Sequence, residues 1–388
     1  MRVLIDYRAA LRQRSGVGEY THQLVRSLLA IAQSDGRSLE LTLFSSSWRD
    51  RLSVDRELAG ADAVDRRVPV RVLNFAWHRL GWPRAESLTR RAFDVTHSLH
   101  PLLLPSRSAA HVVTIHDLNF LEHPERTRAE IRRDYPSLAR RHAQRADAVI
   151  VPSRFTAREV ERRLDVPVER IAVCSPGAPD WTPREAPPAG GGYALFLGTL
   201  EPRKNVGLLL DAYERLLHLR GADNVGADGR RGVPPLVLAG KATGESAPWL
   251  ARIAKPPLHG RVRHIGYVDP ANRRELYEGA RLLVQPSYEE GFGIPVLEAM
   301  TLGVPVIASN RGALPEVLAD AGVLVEPDQP EQLAGAMRRL IDDAAYAGAL
   351  AAKGPIRARQ FSWSATARRV YDTYAAAIER RAGRSRSA

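Results

Sequence analysis

The chain has 388 residues, of which 44% are hydrophobic and 26% are charged. This length and composition are typical of a globular protein with two domains. The single cysteine, Cys174, excludes an intrachain disulfide framework, and no apolar run reaches the ~18–20 residues needed to span a bilayer. The formal net charge of +12 favours anionic partners such as nucleotides, phospholipid surfaces or nucleic acid.

In the first half, short apolar runs alternate with segments of helical periodicity, which predicts βαβ units and a parallel sheet. Val3–Ile5 is interpreted as a buried strand, because the start of the chain becomes charged too soon for a signal peptide. Ser153 is predicted to cap a helix. Further strands are predicted at 39–45, 95–97, 112–115, 147–151 and 171–174, and further helices at 19–32 and 128–145.

The composition changes at Pro179–Gly192, which holds four prolines and three glycines and is typical of a linker. A second series of elements follows it. Strands are predicted at 193–198, 236–239, 262–265, 282–285, 305–308 and 322–325, and helices at 206–219, 334–350 and 361–381. The predicted organisation is an N-terminal Rossmann-like domain at 1–180, a linker at 181–192, a C-terminal Rossmann-like domain at 193–362, and a final helix with a frayed basic tail at 363–388.

Ligands of open α/β sheets bind beyond the carboxyl ends of the strands, so two such sheets facing each other would form a deep cleft. The loop after the first strand contains Gly16 and Gly18, which allow a ligand to approach the backbone closely. A plain tight turn is the alternative. Thr21 occupies the place of the third glycine in a dinucleotide fingerprint, which argues against an NAD or FAD site here.

Two further loops carry polar residues directly after strands. His116 follows the strand at 112–115 and is a candidate to donate to a hydroxyl or to a developing negative charge, with a structural histidine in a turn as the alternative. Arg203 and Lys204 lie between the strand that ends at Gly198 and the next helix. Two cations beside helix amides predict a diphosphate site, and a solvated surface pair is the alternative.

The most specific segment runs from Glu290 to Glu298 and contains Gly291, Phe292 and Gly293. Pro295 favours a helix that starts at Ile294 or Pro295, so Glu298 lies inside this helix. Each carboxylate can accept paired hydrogen bonds from a vicinal diol. The loop amides can contact an anionic or hydroxylated ligand, so the segment predicts a ligand-binding site in preference to a solvated pair of charges.

The spacing from Glu290 to Glu298 resembles the E-x7-E signature of retaining glycosyltransferases of family GT4, which have the GT-B architecture. The segment Gly198–Asn205 is similar to the phosphate-binding segment of that family. The likeness extends to Ser15–Tyr20, to His116–Leu118 and to Ala146–Ser153, in the same order along residues 1–375. The fold class implied is α/β, with two Rossmann-like domains and a C-terminal helix that crosses back to the N-terminal domain.

The resemblance also implies roles for individual residues. Gly16 and Gly18 would approach the donor phosphates, and His116 would contact the transferred sugar. The C-terminal domain would bind the donor through the following residues: Arg203 and Lys204 on the diphosphate, Glu290 on the hexose, Phe292, Gly293 and Ile294 through their backbone, Glu298 on the ribose, and Tyr267 and Val268 at the base.

The resemblance implies retention of anomeric configuration. No carboxylate pair is assigned as nucleophile and acid in the manner of a glycosidase, so the expected reaction is substitution on one face of the sugar. The leaving phosphate would accept the acceptor proton while Arg203 and Lys204 stabilise its charge. No D-x-D motif for a divalent metal is present, and Asp342 and Asp343 are interpreted as surface residues. The expectation is an enzyme without metal or cofactor.

Among relatives, the sequence most resembles bacterial mannosyl- and rhamnosyl-type enzymes of surface polysaccharide synthesis. GDP-mannose is the expected donor, with UDP- and dTDP-sugars open, and a glycan on a lipid carrier or a glycolipid is the expected acceptor. The expected location is the cytoplasm, and peripheral contact with the inner face of the membrane is the accompanying hypothesis. A basic segment is the candidate for contact with anionic lipid, and a solvated charged helix is the alternative. Its arginines are Arg126, Arg128, Arg132, Arg133, Arg140, Arg141 and Arg145.

Two other functions remain open at this point. A nucleotide-sugar epimerase or a sugar phosphorylase could use the same two-domain scaffold, and a pyridoxal-phosphate phosphorylase would need one of four lysines as its Schiff base. A nucleic-acid-binding protein is suggested by the charge alone. Helix-turn-helix, zinc and RNP patterns are missing from the sequence and aromatic residues are only 6%, so no nucleic-acid partner is expected.

Overall fold

The structure is a computed structural model and describes residues 1–11, 14, 16–48, 50–122, 135–220 and 232–387. The chain divides into two compact units. The N-terminal unit consists of Met1–Gly177 together with Ser362–Ala388, and the C-terminal unit consists of Ala178–Phe361. Within the described residues, no helix is long and apolar enough to cross a membrane.

A parallel sheet forms the centre of the N-terminal unit. Its described strands are β1 (Arg2–Asp6), β2 (Glu40–Ser46), β3 (Asp62–Arg66), β4 (Val95–Ser98), β5 (Ala110–Thr114), β6 (Ala148–Val151) and β7 (Ile171–Val173). They lie in the order β3-β2-β1-β4-β5-β6-β7, and all neighbours are parallel. The described helices before residue 178 are α1 (Val17–Ser34), α2 (Val70–Leu80), α3 (Ala85–Thr89), α4 (Asn119–Glu122), α5 (Tyr135–Arg145) and α6 (Arg154–Leu164).

The C-terminal unit is built around a second parallel sheet. In the described residues its strands are β8 (Tyr193–Leu197), β9 (Leu236–Ala239), β10 (Val262–Gly266), β11 (Ala280–Gln285), β12 (Val306–Ser309) and β13 (Val323–Val325), in the order β10-β9-β8-β11-β12-β13. Its described helices are α7 (Val206–Arg220), α8 (Ala247–Ile253), α9 (Arg273–Glu278), α10 (Ile294–Thr301), α11 (Leu314–Leu318), α12 (Pro330–Asp342) and α13 (Ala344–Ala358). The prediction of two Rossmann-like parallel sheets is confirmed.

The central strands are continuous apolar runs because helices cover both faces of a parallel sheet. In β6 every residue is buried, and Val149 and Ile150 face two separate apolar clusters. As predicted, Ser153 caps the helix that follows, because its side chain accepts a hydrogen bond from the Thr156 amide at 3.1 Å. The continuous apolar run of β6 therefore sets its place inside the sheet, and Ser153 sets where α6 begins.

The final helix, α14 (Trp363–Ser387), packs within the N-terminal unit, as predicted. Val370 and Tyr374 are buried in the same apolar cluster as β1 and α1. The Tyr374 hydroxyl lies 2.7 Å from Nδ1 of His97. The expectation of a frayed basic tail is wrong at Arg380, whose guanidinium donates to the carbonyls of Asp147 and Glu169 and so holds the helix end.

Some predicted elements differ from the structure. The single helix predicted at 334–350 is two helices, α12 and α13, because the Asp343 backbone is extended and its side chain caps α13 by accepting from the Tyr346 amide at 2.9 Å. The predicted linker at 181–192 lies in the C-terminal unit, where Arg184 donates to the carbonyl of Ala280 at 2.5 Å. The helix predicted at 128–145 is described only from Tyr135, and Arg126, Arg128, Arg132 and Arg133 lie outside the described residues.

Candidate active site

The carboxyl edge of the C-terminal sheet carries glycines at the ends of three neighbouring strands. Gly198 follows β8, Gly240 follows β9, and Gly266 ends β10. The Gly240 amide donates to the Gly266 carbonyl at 2.7 Å, and a Cβ at position 240 would lie 1.9 Å from the Gly198 carbonyl oxygen. The glycines therefore let the three strand ends pack closely at this edge, and ligands of open parallel sheets bind at such an edge.

Lys204 and Glu290 form a buried ion pair in this region. Nζ of Lys204 lies 2.5 Å from Oε1 of Glu290, and Nη1 of Arg203 lies 3.3 Å from Oε2 of the same carboxylate. Lys204 is 8% exposed and Glu290 is 6% exposed. The residues are 86 positions apart in sequence but meet because β8 and β11 are neighbours in the sheet. The structure thus brings together three of the residues singled out in the sequence.

A short turn at Pro202–Lys204 places both cations. Asn205 ends it in the left-handed conformation, with φ of 56°, and donates from its side-chain amide to the Pro286 carbonyl at 3.1 Å. The Tyr288 amide donates to the Arg203 carbonyl at 2.8 Å. The turn after β8 is therefore fixed to the loop after β11 by hydrogen bonds to backbone carbonyls, and α7 begins only after it.

Both cations are balanced by carboxylates within the protein. Nε of Arg203 lies 2.6 Å from Oε1 of Glu201, while Lys204 pairs with Glu290. A lysine ammonium has three donors, and the bond to Glu290 uses one of them. Lys204 can therefore bind Glu290 and a phosphate oxygen together, whereas an anion on the Nε side of Arg203 would compete with Glu201.

The residues that hold the Glu290 side chain and backbone in place were not predicted from the sequence. Oε1 also accepts from the Ser287 hydroxyl at 2.7 Å and from the Gln285 side-chain amide at 3.1 Å. Gly312 packs against the Glu290 backbone, where a Cβ would lie 2.7 Å from the carbonyl oxygen. Since Oε1 has three donors, Oε2 is the oxygen better able to accept a ligand hydroxyl.

The charge on Glu290 is fixed by its surroundings. Burial alone would raise the pKa of this carboxyl group, but Lys204 and Arg203, together with hydrogen bonds from Lys204 and Ser287, lower the pKa from 4.5 to about 2. A shift of this size corresponds to about 3 kcal/mol of preference for the ionised form in the folded protein. Glu290 therefore acts as a hydrogen-bond acceptor at any physiological pH.

This pKa shift predicts how stability depends on pH. Because the folded-state pKa is below the unfolded value, the contribution of Glu290 is complete above pH 4.5 and is lost as the pH falls towards about 2. Urea unfolding of the wild type and of Glu290→Gln is expected to show a stability difference that is constant near neutral pH and shrinks in acid. The exposed Glu161→Gln is the matched control, and a difference that stays constant down to pH 2 would contradict the assignment.

Glu298 lies in a second polar cluster, with partners of its own. Its Oε1 accepts from Nη1 of Arg273 and its Oε2 from the Tyr277 hydroxyl, both at 2.9 Å. All three side chains are buried. Glu298 is carried by α10, whose first turn follows the loop after β11. Arg273 and Tyr277 were not predicted from the sequence, because they reach Glu298 from α9, more than twenty residues earlier.

The loop between the two glutamates is shaped by Gly293. Its φ is 107°, and a Cβ there would lie 2.6 Å from Cδ2 of Leu314, so a side chain would clash. The Phe292 ring is buried against Phe361 at a centroid distance of 5.5 Å. Packing thus accounts for Gly293 and for the Phe292 ring, and the backbone contacts with a ligand predicted for Phe292, Gly293 and Ile294 remain a prediction.

Tyr267 and Val268 follow β10 at the same edge of the sheet. Gly266, with φ of 73°, turns the chain before them. Nζ of Lys241 lies 5.6 Å from the centre of the Tyr267 ring, a distance at which a cation and an aromatic face attract each other. Val268 packs against the apolar cluster beneath this edge. Their predicted role at the nucleotide base remains a prediction.

In the N-terminal unit, His116 lies just beyond the carboxyl end of β5. Burial lowers the pKa of the ring to about 4, so it is neutral at pH 7. The ring bonds to the Leu99 carbonyl, and its Nε2 is buried with no partner among the described residues. Nδ1 therefore carries the proton and Nε2 has a lone pair, which suits acceptance of a hydroxyl proton rather than donation to an oxyanion.

The glycine loop after β1 is linked to His116 through α1. The Tyr20 ring stands edge-on to the His116 ring, with centroids 4.9 Å apart. Gly16 has φ of 49° and precedes the first residue of α1. At Gly18 a Cβ would lie 2.6 Å from the Ala9 carbonyl oxygen. Close packing alone thus accounts for Gly18, while the predicted contact of Gly16 and Gly18 with phosphate remains a prediction.

A further polar group at the carboxyl edge of the N-terminal sheet was missed from the sequence. Asp6 ends β1 and receives two hydrogen bonds from the Arg8 guanidinium, at 2.8 and 2.6 Å. Nε2 of His100 lies 3.2 Å from the same carboxylate. The sequence pattern that could have identified Asp6 is a charged residue directly after the apolar run Val3–Ile5. Across the part of the chain that the structure describes, no group of three His, Cys, Asp or Glu residues could hold a metal ion.

Comparisons with known proteins agree with this architecture. Residues 14–180 match the family model described as Glycosyltransferase Family 4, and residues 179–357 match the model described as Glycosyl transferases group 1. The chain is 30% identical over 381 residues to O-antigen chain mannosyltransferase B of Escherichia coli, covering 93% of this chain and 96% of that protein. The chain belongs to glycosyltransferase family 4 and is a glycosyltransferase.

Two further relatives show how broad this likeness is. D-inositol 3-phosphate glycosyltransferase of Thermobispora bispora is 31% identical over 259 residues, which cover 61% of this chain and 57% of that protein. Sucrose-phosphate synthase from Thermosynechococcus elongatus superposes with a TM-score of 0.71 at 20% identity, covering 96% of this chain and 98% of the other. The GT-B fold is therefore confirmed, and family membership favours transfer over the alternatives of an epimerase or a phosphorylase.

Proposed function

We propose that this glycosyltransferase moves mannose from GDP-mannose to a glycan carried on a lipid, with retention of configuration and without a metal. The O-antigen chain mannosyltransferase, which is similar along almost its whole length, supports the sugar and the kind of acceptor. The observation that carries the proposal is the buried cluster of Arg203, Lys204 and Glu290 at the carboxyl edge of the C-terminal sheet.

In this proposal the C-terminal unit binds the donor. Lys204 and Arg203 bind the diphosphate, and Glu290 accepts a hydroxyl of the hexose through Oε2. Glu298, held in place by Arg273 and Tyr277, accepts the ribose hydroxyls, and the backbone at Tyr267 and Val268 meets the base. Positive side chains thereby supply the charge that a divalent metal provides elsewhere.

The proposed reaction is a substitution on one face of the sugar. The bond between the anomeric carbon and the leaving phosphate oxygen breaks, and a bond from the acceptor oxygen forms on the same face. The acceptor proton passes to the leaving phosphate, whose growing charge Lys204 and Arg203 stabilise more in the transition state than in the ground state. His116, a neutral acceptor, orients a hydroxyl of the transferred sugar.

The location proposed is the cytoplasm, with peripheral contact to anionic lipid. The basic segment considered in the sequence is described only in part, and its Arg140 pairs with Asp165 while His142 is buried. That pairing reduces what α5 offers to a membrane. No nucleic-acid partner is proposed.

One protein preparation tests three parts of the proposal: the nucleotide that binds, the need for a metal ion and the anomeric configuration of the product. With excess EDTA, GDP is expected to raise the melting temperature more than UDP, ADP or dTDP, because a ligand that binds only the folded state stabilises it. GDP-mannose and a mannose-terminated glycoside on a synthetic alkyl chain are expected to give a product with the donor's anomeric configuration, read by NMR. Stabilisation by UDP alone, inversion, or activity restored only by Mg²⁺ would contradict the proposal.

A further inference from the structure

Several large apolar side chains are exposed on and just after helix α2. Val72, Phe75, Leu80 and Trp82 are 58%, 64%, 68% and 63% exposed. Val72 and Phe75 lie one turn apart on one face of α2, and Leu80 and Trp82 are exposed at and just beyond its C-terminal end. Single exposed apolar residues are normal on protein surfaces, but several in one short segment mark a candidate interaction site. These four residues are named the α2 patch.

The patch is not an unsatisfied part of the core, since α2 already buries its other side. Leu73 and Trp77 are buried in an apolar cluster of the N-terminal unit. Val72, Phe75 and Arg79 share the opposite face, because they are three and four residues apart on a helix. One face of α2 is therefore buried in the core through Leu73 and Trp77, and the opposite face exposes Val72 and Phe75 to solvent.

The segment after the helix is fixed in position. Gly81 ends α2 in the left-handed conformation, with φ of 61°. Nε1 of Trp77 donates to the Pro83 carbonyl at 2.8 Å. These contacts hold the backbone on both sides of Trp82, so the exposed indole ring is presented next to the helix rather than on a free loop.

Arginines surround the patch. Between residues 66 and 91 the sequence has seven arginines and one acid, Glu86. Glu86 is turned inward, where it accepts from the Ser106 hydroxyl at 2.5 Å. The exposed arginines are Arg67, Arg71, Arg79, Arg84, Arg90 and Arg91, of which Arg91 pairs with Asp62. The patch therefore combines apolar side chains with a strong local excess of positive charge.

We propose that the α2 patch docks the N-terminal unit on the surface of an anionic lipid bilayer. Transfer of phenylalanine, leucine and tryptophan side chains from water to the boundary between headgroups and acyl chains is favourable in free energy. Neighbouring arginines bind anionic headgroups. A second copy of the chain is disfavoured as the occupant, because a symmetric contact would set these arginines against themselves. Nucleic acid would pair with the arginines but leave Phe75 and Trp82 in water.

The position of α2 connects this surface to the chemistry, a step that rests on the proposed lipid-linked acceptor. Nη1 of Arg8 donates to Oδ1 of Asn74 at 2.8 Å, and the Arg8 guanidinium lies 4.8 Å from the centre of the Trp77 ring. Arg8 also binds Asp6 at the end of β1. Docking through α2 therefore holds the polar carboxyl edge of the N-terminal sheet close to the headgroups, where an acceptor on a lipid carrier would lie.

The test is co-sedimentation of the full chain with vesicles of phosphatidylglycerol and phosphatidylcholine, compared with phosphatidylcholine alone. The wild type is expected to bind the anionic vesicles at low salt. Phe75→Ser combined with Trp82→Ser is expected to lower the partition coefficient about tenfold or more. Arg71→Gln combined with Arg79→Gln should lower it about fivefold for each charge removed.

Matched controls separate the patch from general surface properties. Trp48→Ser removes another exposed tryptophan, and Arg158→Gln combined with Arg338→Gln removes the same charge elsewhere, so both are expected to bind vesicles like the wild type. Absence of wild-type binding, or equal loss in the controls, would overturn the docking surface, and so would a dimer that the patch variants abolish. GDP binding, measured by calorimetry on the same variants, is expected to be unchanged. Vesicle binding without GDP binding would instead overturn the proposed donor.

Discussion

Lys204→Met is expected to lower kcat about 10²- to 10³-fold while GDP binding changes much less. The substitution keeps an unbranched side chain of similar length and removes one buried positive charge, 2.5 Å from Glu290. A fixed charge at the leaving group stabilises the transition state more than the ground state, so its loss affects turnover most. Steady-state kinetics with GDP-mannose and calorimetry with GDP provide the two readouts.

Loss of folding must be separated from loss of chemistry in this variant. Lys204→Met leaves Glu290 beside Arg203 but removes its closer cation, and loss of one partner of a buried ion pair is expected to cost up to about 3–5 kcal/mol of stability. The double variant Lys204→Met with Glu290→Gln is therefore expected to regain much of the melting temperature but none of the turnover. Lys255→Met changes an exposed lysine and serves as the control. Normal turnover in Lys204→Met would remove the basis of the leaving-group argument.

Glu298→Ala is expected to weaken GDP binding about tenfold to a hundredfold, with a smaller effect on turnover of bound donor. Hydrogen bonds to a charged group contribute about 1.5–3 kcal/mol, and Glu298 is oriented by Arg273 and Tyr277 at 2.9 Å each. Its proposed ligands are the ribose hydroxyls. Calorimetry with GDP and with 2′-deoxy-GDP measures this interaction directly.

A comparison of GDP with 2′-deoxy-GDP separates loss of the ribose contact in Glu298→Ala from loss of protein stability. The wild type is expected to prefer GDP over 2′-deoxy-GDP, and Glu298→Ala is expected to lose that preference. General damage to the fold would weaken the binding of both nucleotides and leave the preference for GDP unchanged. An Arg273→Met variant, which removes one of the side chains that hold Glu298, is expected to reduce the preference partly. Unchanged discrimination in Glu298→Ala would place the ribose elsewhere.

Much of the fold could be predicted from local sequence patterns because buried parallel strands are continuous apolar runs. The predicted strand at 236–239 coincides with β9, and most others agree within one or two residues. Strand β3 and helix α2 were not predicted. Strand β3, Asp62–Arg66, carries three charged residues and no buried one, so it lacks the continuous apolar run of the central strands.

The candidate site was predictable where one short segment carries its own chemistry, as from Glu290 to Glu298. It was not predictable where a residue acts through a distant partner. Arg273 has no distinguishing neighbours in sequence, and only the packing of α9 on α10 brings it to Glu298. The tautomer of His116 likewise depends on the Leu99 carbonyl, which no motif records. Sequence patterns thus identify the reactive groups, and tertiary contacts decide their protonation and orientation.

The return of α14 to the N-terminal unit has a consequence for how the protein is made. The ribosome releases residues 1–177 first, yet Tyr374, which bonds to His97, follows only after the whole of residues 178–361. At a synthesis rate of about 5–20 residues per second, Tyr374 follows residue 177 after roughly ten to forty seconds. Until then the apolar side chains of the first unit that α14 covers remain exposed. All residues of the second unit are therefore synthesised before the last helix of the first unit.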